Sequence, residues 1–567
     1  MTGENRIGII SEEYADFIID YRNNPQLLEG FDNAYVHIMN EAYAIVHIPL
    51  NTLPERILSE YSYTIIPKVL GLVSEVSLEA SGVERLRNQP AFNLTGRGIL
   101  IGIIDTGIDY LNPVFRNENG LTKIVSIWDQ TIQSEGGYPF ETYYGTEYTA
   151  EQINLAIASE NPLEIVPSMD YIGHGTMMAG VAAGNENEEV DFQGVAPEAE
   201  IVVVKLKQAK EYLREFFLLP ADVAAYQEND IMWGVQYCLQ VARRIGRPIA
   251  LCIGLGTSQT SHAGQSNLSN FLSILADFVN VGIVTAIGNE GNLGRHFFGT
   301  VTQETGNVTV ELNVGPNENR FSMELWGGFP GLLSIDMLSP GGEYIPRIAS
   351  GLKVNREVRF IFEPTVVNVD YQLTETLSGN QLILFRFLNV SEGVWRFTVY
   401  SQSDLPTPFH IWLPMGNFIS DNTYFIQPNI YTTVLTPGTA FTPLAVTAYN
   451  PINGNLYVNA SRGYTNDNAI KPELAAPGVN YIAPTLNGEF MNYSGTGVAA
   501  AHTTGIIALF LEWAVVRQNM VGVDTVVIKS FFIRGAKRRE NLTYPNRDWG
   551  YGIIDLYNVF DILRSGL

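Results

Sequence analysis

The chain is poor in cysteine and in basic residues. It has two cysteines in 567 residues, Cys238 in a predicted helix and Cys252 in a predicted strand. That number excludes a disulfide framework and a cysteine-rich metal cluster, so we expect two buried, reduced thiols. The 34 Lys and Arg residues are outnumbered by 59 Asp and Glu residues, which gives a net charge of −25. This surplus of negative charge makes nucleic acid and anionic membranes unsuitable partners.

A secretory leader and long hydrophobic runs are also missing. The first residues, MTGENRIGIISEEYADF, do not combine a basic start with a long apolar segment and a small-residue cleavage site. The longest apolar runs fall short of the roughly 20 residues that cross a bilayer. We therefore expect a soluble protein that is made in the cytoplasm and has no membrane partner.

The length predicts more than one hydrophobic core, and 46% apolar residues suit a globular protein. The patterns divide the chain into a small α+β unit at 1–80, the first part of an α/β core at 81–294, an inserted β region at 295–429 and the second part of the core at 430–567. In the first unit we predict a helix near 15–21, strands at 34–39 and 43–50, a helix at 54–61 and a strand near 63–73. A helix at 81–88 opens the core.

The core is predicted from continuous apolar strands that alternate with helices. These strands read ILIGIID, EIVVVKL, IALCIGL and GIVTAIG. Such runs are typical of a parallel sheet that has helices on both faces. The inserted region instead shows short alternating segments between Gly, Pro and Asn clusters, which predicts a β-sandwich or jelly roll. The α/β pattern resumes after it, with a helix at 498–517.

Two polar side chains stand where an open α/β sheet places its reactive groups. Asp105 ends the strand ILIGIID just before a Gly turn, and His174 opens the apolar helix HGTMMAGVAAG. Ligands and catalytic groups lie at the carboxyl ends of parallel strands. The order Asp then His is also that of one arrangement of the serine-protease triad.

Two further segments complete the pattern. Asn289 follows the strand in TAIGNEGN, where its amide can donate to the oxyanion of a tetrahedral intermediate. Gly497 lies in NYSGTGVAAAHTTG, a turn that runs directly into an apolar helix, which is the geometry that exposes a nucleophile at a helix N-terminus.

The segments around these four residues resemble, in the same order, the four motif blocks of the subtilase family of serine peptidases. KPELAAPGV, GVAPEAEIVVVKL and GYGIID are similar to further blocks, so the resemblance covers about 99–293 and 430–567. It implies a subtilisin-like fold with an N-terminal α+β prodomain. It also implies that Gly254, Leu255 and Gly256 belong to the strand that pairs with substrate.

The resemblance also implies a loss of activity. The family pattern Gly-Thr-Ser-x-Ala is matched by Gly-Thr-Gly-Val-Ala, with Gly497 at the place of the nucleophilic serine and His502 in register with the family's helix histidine. We expect neither Ser494 nor Thr496 to substitute for that serine. The protein should therefore be inactive as written and should keep its prodomain, which otherwise would be cut off near residues 73–81.

The absence of a leader, the insertion after Asn289 and strings such as YPNRDWGYGIID resemble the Csp germination proteases and pseudoproteases of spore-forming clostridia, a group within this family. This implies a pseudoprotease that regulates spore germination and is packaged in the spore. Its partner would be a protein or peptide in the cleft, such as another Csp protein or a cortex hydrolase precursor. The alternative is an active endopeptidase, processing such a precursor, whose serine was replaced to trap it.

A third hypothesis assigns the function to the inserted region. Trp326, Trp395 and Trp412 could line a carbohydrate-binding or surface-binding face there. We expect no organic cofactor. The resemblance allows for structural calcium, although no compact Asp-rich loop indicates a site.

Overall fold

The computed structural model describes residues 3–31, 34–76, 94–351 and 354–565. The helix predicted at 81–88 lies outside these residues. The N-terminal unit contains a three-stranded antiparallel sheet in which the third strand along the chain lies between the first two. Two further strands of this unit pair with strands outside it. Its elements are α1 (Gly3–Ile10), β1 (Tyr14–Asp20), β2 (Tyr35–Ile38), β3 (Tyr43–Pro49), α2 (Ile57–Glu60), β4 (Val69–Leu72) and β5 (Glu75–Val76).

The helix predicted near 15–21 is wrong, because these residues form strand β1. Phe17 belongs to the hydrophobic cluster on one side of the small sheet, and Ile18 belongs to the cluster on the other side. A strand that is covered on both faces has a continuous apolar run, which periodicity cannot distinguish from a buried helix. The helix predicted at 54–61 shortens to α2. The strand predicted at 63–73 shortens to β4, since its partner strands are only two residues long.

The core is a sheet of eight strands that are parallel except for one antiparallel pair, β7 (Ile124–Asp129) and β8 (Thr146–Thr149). The strands lie in the order β26 (Leu474–Pro477), β25 (Leu444–Tyr449), β13 (Val281–Ala286), β11 (Ile249–Ile253), β6 (Leu100–Asp105), β9 (Glu200–Lys205), β7 and β8. Its first part contains β6 (Leu100–Asp105), β7 (Ile124–Asp129), β8 (Thr146–Thr149), α3 (Ala150–Ile157), α4 (Pro162–Ile165), α5 (His174–Ala183), β9 (Glu200–Lys205), α6 (Glu211–Phe216), β10 (Tyr226–Gln227), α7 (Glu228–Ile245), β11 (Ile249–Ile253), β12 (Leu255–Gly256), α8 (Asn267–Leu275) and β13 (Val281–Ala286).

The inserted region forms two antiparallel sheets that share one hydrophobic cluster around Phe385, Trp395 and Phe397. The strand orders are β14-β23-β16-β21-β20-β19 and β18-β17-β22-β15-β24. The strands are β14 (His296–Val301), β15 (Asn307–Val314), β16 (Arg320–Gly327), β17 (Leu333–Leu338), β18 (Tyr344–Ile348), β19 (Asn355–Arg359), β20 (Val366–Gln372), β21 (Gln381–Leu388), β22 (Gly393–Ser401), β23 (Thr407–Trp412) and β24 (Tyr424–Phe425). The finer expectation of a jelly roll stays a prediction.

The three tryptophans proposed for a binding face are buried. Trp326, Trp395 and Trp412 are 2%, 0% and 3% exposed. They pack in the interior of the inserted sheets and at their junction with the core. The structure therefore contradicts their assignment to an exposed binding face.

The second part of the core completes the parallel sheet and covers it. It contains β25 (Leu444–Tyr449), β26 (Leu474–Pro477), β27 (Tyr481–Pro484), β28 (Phe490–Ser494), α9 (Thr496–Leu511), α10 (Thr525–Gly535) and α11 (Leu556–Ser565). Helices α5 and α9 share one hydrophobic cluster with Ile101 and Ile103 of β6, while α7 and α8 share another with Leu100 and Ile104. Helices thus cover both faces, which confirms the predicted α/β fold class.

One helical stretch corrects the expectation about apolar length. Thr496–Val516 is 21 residues long, has a mean hydropathy of 1.5 and passes the length and composition test for a membrane span. It was missed because Thr and His interrupt the apolar run. Its most apolar window is 83% buried inside the protein, where α9 packs against β11, β13 and β25.

Candidate active site

Asp105 and His174 meet at the carboxyl edge of the parallel sheet. Strand β6 ends at Asp105 and helix α5 begins at His174, and Nδ1 of His174 lies 2.8 and 3.0 Å from the two carboxylate oxygens of Asp105. Both side chains are buried. Burial lowers the pKa of His174, but the Asp105 carboxylate outweighs this effect and the net shift is upward. The pair can therefore hold a proton on the imidazole.

Asp170 holds the start of this helix and was missed by the sequence analysis. Its carboxylate accepts hydrogen bonds from the backbone N–H groups of Gly173 at 2.8 Å and Thr176 at 3.0 Å, and from the Thr176 hydroxyl at 2.8 Å. These bonds satisfy amides that a helix N-terminus leaves free. An acidic residue just ahead of an apolar helix is a capping signal, so the sequence contained a clue to it.

Asn289 lies three residues after the end of β13 and directly after Gly288, whose φ of 97° suits glycine. Its Nδ2 donates to the carbonyl oxygen of Val73 at 2.8 Å. Its Oδ1 accepts from the backbone N–H of Thr496 at 3.1 Å and from the Thr496 hydroxyl at 3.2 Å. Thr496 therefore orients the amide toward Val73, and its own hydroxyl is engaged in doing so.

Gly497 lies in the first turn of α9, next to the same carbonyl. Its backbone N–H donates to the Val73 oxygen at 3.2 Å. A Cβ built on Gly497 would lie 3.2 Å from that oxygen and would collide with Oγ of Ser74. The peptide bond between Val73 and Ser74 thus lies directly beside position 497.

The segment that carries this peptide bond is bound in an extended conformation. Strand β4 pairs antiparallel with β12 on one side and with β10 on the other. The backbone N–H of Val73 donates to the carbonyl of Gly254 at 3.1 Å, and β5 pairs with β28 beyond the peptide bond. The structure therefore places Gly254, Leu255 and Gly256 alongside residues 71–73. It places Val73–Ser74 at the N-terminal limit of the predicted junction.

Two hydrophobic contacts of this cleft gave no signal in the sequence. Leu435 fills the space between Gly256 and Gly288, because a Cβ on either glycine would lie within 2.9 Å of its side chain. Met415 and Phe418 lie over Gly71, each 3.2 Å from a Cβ built there. Both contacts come from chain far away in sequence, so only the tertiary structure reveals them.

The remaining hydroxyls and the histidine define what the site can do. Oγ of Ser494 accepts a hydrogen bond from the backbone N–H of Asn480 at 3.0 Å, so it serves the loop. Nε2 of His174 and Oγ of Ser74 are buried and have no hydrogen-bond partner among the described residues. The arrangement can bind an extended peptide, polarise its carbonyl through Asn289 and Gly497, and hold a base beside it. It has no hydroxyl on residue 497.

No group of three or more His, Cys, Asp or Glu side chains in the described part of the chain could hold a metal ion. The donor chemistry that Ca²⁺ prefers, several carboxylate and carbonyl oxygens around one point, is therefore not supplied by an acidic cluster there.

Comparison with known proteins gives a consistent result. The profile of the subtilase family matches residues 96–305 and 416–552. The structure of the CspB protease of Clostridium perfringens superposes with a TM-score of 0.75 at 31% sequence identity, covering 84% of this chain and 95% of that one. Subtilisin-like protease SBT3.17 of Arabidopsis thaliana is 24% identical over 455 residues, 74% of this chain and 54% of its own length. The chain thus spans about half the length of this plant relative.

Proposed function

Because the chain belongs to the subtilase family of serine peptidases, we propose that it is a pseudoprotease that keeps its N-terminal unit in the cleft and regulates spore germination. The observation that carries this proposal is the position of the Val73–Ser74 peptide bond, which lies in the cleft beside residue 497. Its carbonyl oxygen receives hydrogen bonds from Asn289 and Gly497. A peptide in this position is arranged for attack, and residue 497 offers no atom to attack it.

The remaining groups cannot replace the nucleophile. In subtilisin, removal of the catalytic serine costs on the order of 10⁶ in kcat, although the oxyanion hole and the binding groove remain. Here the His174–Asp105 pair can accept a proton, but residue 497 has no hydroxyl proton to give. The cleft therefore works as a binding site, and the prodomain stays attached.

The proposed partner is a protein or peptide, either another Csp protein or the precursor of a cortex hydrolase. The similarity to the CspB protease supports this assignment. A partner that uses the cleft must displace residues 69–76, since these residues fill it.

A second candidate is an active serine endopeptidase whose serine was replaced by glycine. The observation that favours it is the intact pair, with His174 Nδ1 2.8 Å from Asp105, together with the oriented amide of Asn289. Loss of activity in evolution removes the pressure to keep such geometry. A native coding sequence with glycine at position 497 would exclude this candidate.

The test is the intact mass and N-terminal sequence of the purified chain beside Gly497→Ser and Gly497→Ala. The chain as it stands and the alanine variant should stay whole. The serine variant should divide between Val73 and Ser74 if only the nucleophile is missing. Since a Cβ at position 497 collides with Ser74 Oγ, the double variant Gly497→Ser/Ser74→Ala removes this crowding.

Cleavage of itself or of any peptide by the unaltered chain would refute the pseudoprotease proposal. If both folded serine variants stay whole, the cleft has changed beyond the nucleophile and the trapped-enzyme candidate is rejected. If both serine variants are cleaved, the native coding sequence decides between the two candidates. Glycine at position 497 supports the pseudoprotease, and serine supports the trapped enzyme.

A further inference from the structure

The ammonium of Lys123 is buried behind helix α5 and meets three oxygen atoms. Its Nζ donates to the carbonyl of Ala183 at 2.6 Å, to Oδ1 of Asn185 at 2.6 Å and to the carbonyl of Pro197 at 2.7 Å. The residue is only 5% exposed. Each of the three ammonium protons thus has an acceptor.

The side-chain oxygen of Asn185 is held in place by other bonds. Nδ2 of Asn185 donates to the carbonyl of Arg116, and the backbone N–H of Asn185 donates to Val114 at 2.9 Å. Oδ1 is therefore the atom that faces Lys123. The backbone of Lys123 is fixed as well, because its N–H donates to Phe115 at 2.8 Å. Ala183, Asn185 and Pro197 thus form a cage around the ammonium, and the Asn185 oxygen in it is fixed by bonds that do not involve the lysine side chain.

All three acceptors are neutral, so the cation has no paired carboxylate. Lys123 forms no ion pair with the described residues, and Glu198, whose charge acts on it, is bound to Arg97. Burial lowers the pKa of Lys123 to about 7, and the charge of Glu198 opposes this shift. The ammonium is the form that fits, since a neutral amine has too few protons for three oxygen atoms.

The cage also closes the end of the helix that begins at His174. The last four carbonyl groups of a helix have no partner within the helix, and cations are favoured near them. In α5 all four of these carbonyl groups, those of residues 180–183, accept a hydrogen bond. The first three accept from the backbone N–H groups of Gly184, Val195 and Ala196 in that order, and the carbonyl of Ala183 accepts from the Lys123 ammonium. Lys123 thereby joins the helix to the loop 184–197.

Proteins bind hard metal ions such as Ca²⁺ with oxygen atoms, including backbone carbonyl and side-chain amide oxygens. The Lys123 ammonium is surrounded by the same kinds of oxygen atom. We propose that the Lys123 ammonium takes the place of a structural metal ion in the cage of Ala183, Asn185 and Pro197. Replacing the lysine by aspartate should convert the cage into a calcium site. The side chain of aspartate is shorter than that of lysine by about the length of a Ca–O bond, roughly 2.4 Å. A calcium ion bound to the aspartate could therefore occupy the position of the ammonium. The proposal does not depend on the proposed function.

The experiment compares thermal unfolding of the full chain with Lys123→Asp, Lys123→Asn and Lys123→Met, each in chelator and in millimolar calcium. The three variants leave buried oxygens without a donor, so in chelator each should unfold roughly 5 °C or more below the unaltered chain. Calcium should restore at least half of this loss in the aspartate variant only. Asparagine has the same shape without the charge and is the matched control. The unaltered chain should not respond to calcium or chelator.

The second readout is terbium luminescence, which should show binding to the aspartate variant and not to the asparagine variant. An aspartate variant that folds only in the presence of calcium also supports the proposal. A methionine variant as stable as the unaltered chain would overturn it. So would a calcium response of the unaltered chain equal to that of Lys123→Asp, or an aspartate variant that calcium does not rescue.

Discussion

Two of the regions that hold the N-terminal unit to the rest of the molecule differ in their chemistry. In the cleft, β4 is bound through main-chain pairing with β10 and β12, and its side chains are Val, Leu and Gly. At the docking face, the Asp16 carboxylate of β1 accepts hydrogen bonds from His47, Lys210 and Gln227, each at 2.7 Å. The first region relies on backbone shape and the second on individual charged atoms.

From this difference we expect side-chain substitutions to affect the stability of the two regions unequally. Main-chain hydrogen bonds are kept when a side chain is replaced, provided that the backbone conformation is allowed. A buried charge that loses its partner keeps its desolvation penalty without compensation. Asp16 and Lys210 are 1% and 2% exposed, so the docking face should be the more sensitive of the two regions.

The largest effect is expected for Asp16→Asn. The substitution keeps the shape but removes the charge that faces Lys210 at 2.7 Å. Breaking a buried pair in this way should lower the free energy of unfolding by about 3–5 kcal/mol. Denaturant unfolding of the full chain measures this loss.

The matched control is Asp20→Asn on the same strand. Its partner Arg22 is 76% exposed, and such surface pairs contribute little, so the change should stay below about 1 kcal/mol. Equal losses in the two variants would mean that the docking face does not depend on the buried charge.

A smaller, pH-dependent effect should follow from the same carboxylate. Burial would raise the pKa of Asp16, but Lys210 and His47 outweigh it and hold the pKa well below its usual range. A carboxyl whose pKa is lower in the folded state stabilises the protein above the unfolded value of about 3.9, and this contribution is lost as the pH falls below it. Between about pH 5 and pH 3 the free energy of unfolding of the unaltered chain should fall more steeply than that of Asp16→Asn, as denaturant unfolding at each pH would measure. Parallel curves would contradict the assignment.

The smallest effect is expected in the cleft, for Ser74→Ala. Oγ of Ser74 is buried without a hydrogen-bond partner among the described residues, so its removal should change the stability by less than about 0.5 kcal/mol or increase it. Ser494→Ala is the comparison, because Oγ of Ser494 accepts from Asn480 at 3.0 Å and its loss should cost about 1 kcal/mol. A large loss for Ser74→Ala in denaturant unfolding would show that a side chain, and not the backbone, holds this segment.

Much of the fold followed from local patterns. The apolar strands of the core and the alternating segments of the insertion were recognisable because burial on two faces or on one face leaves a distinct period in the sequence. The same principle produced the error at residues 15–21. There a strand is sandwiched between two hydrophobic clusters, and its burial on both faces removes the alternation that identifies strands.

The sequence by itself determined which residues stand at the ends of the strands and helices of the site. Asp105, His174, Asn289 and Gly497 could be found there because each follows or opens an apolar element. Only the tertiary structure decided what those residues face. Val73 at the Asn289 amide, Leu435 between two glycines, Asp16 with Lys210, and Lys123 in its cage all join segments far apart in the chain. No local sequence pattern predicts such contacts, because their energy comes from the joint burial of residues that are distant in sequence and not from interactions between sequence neighbours.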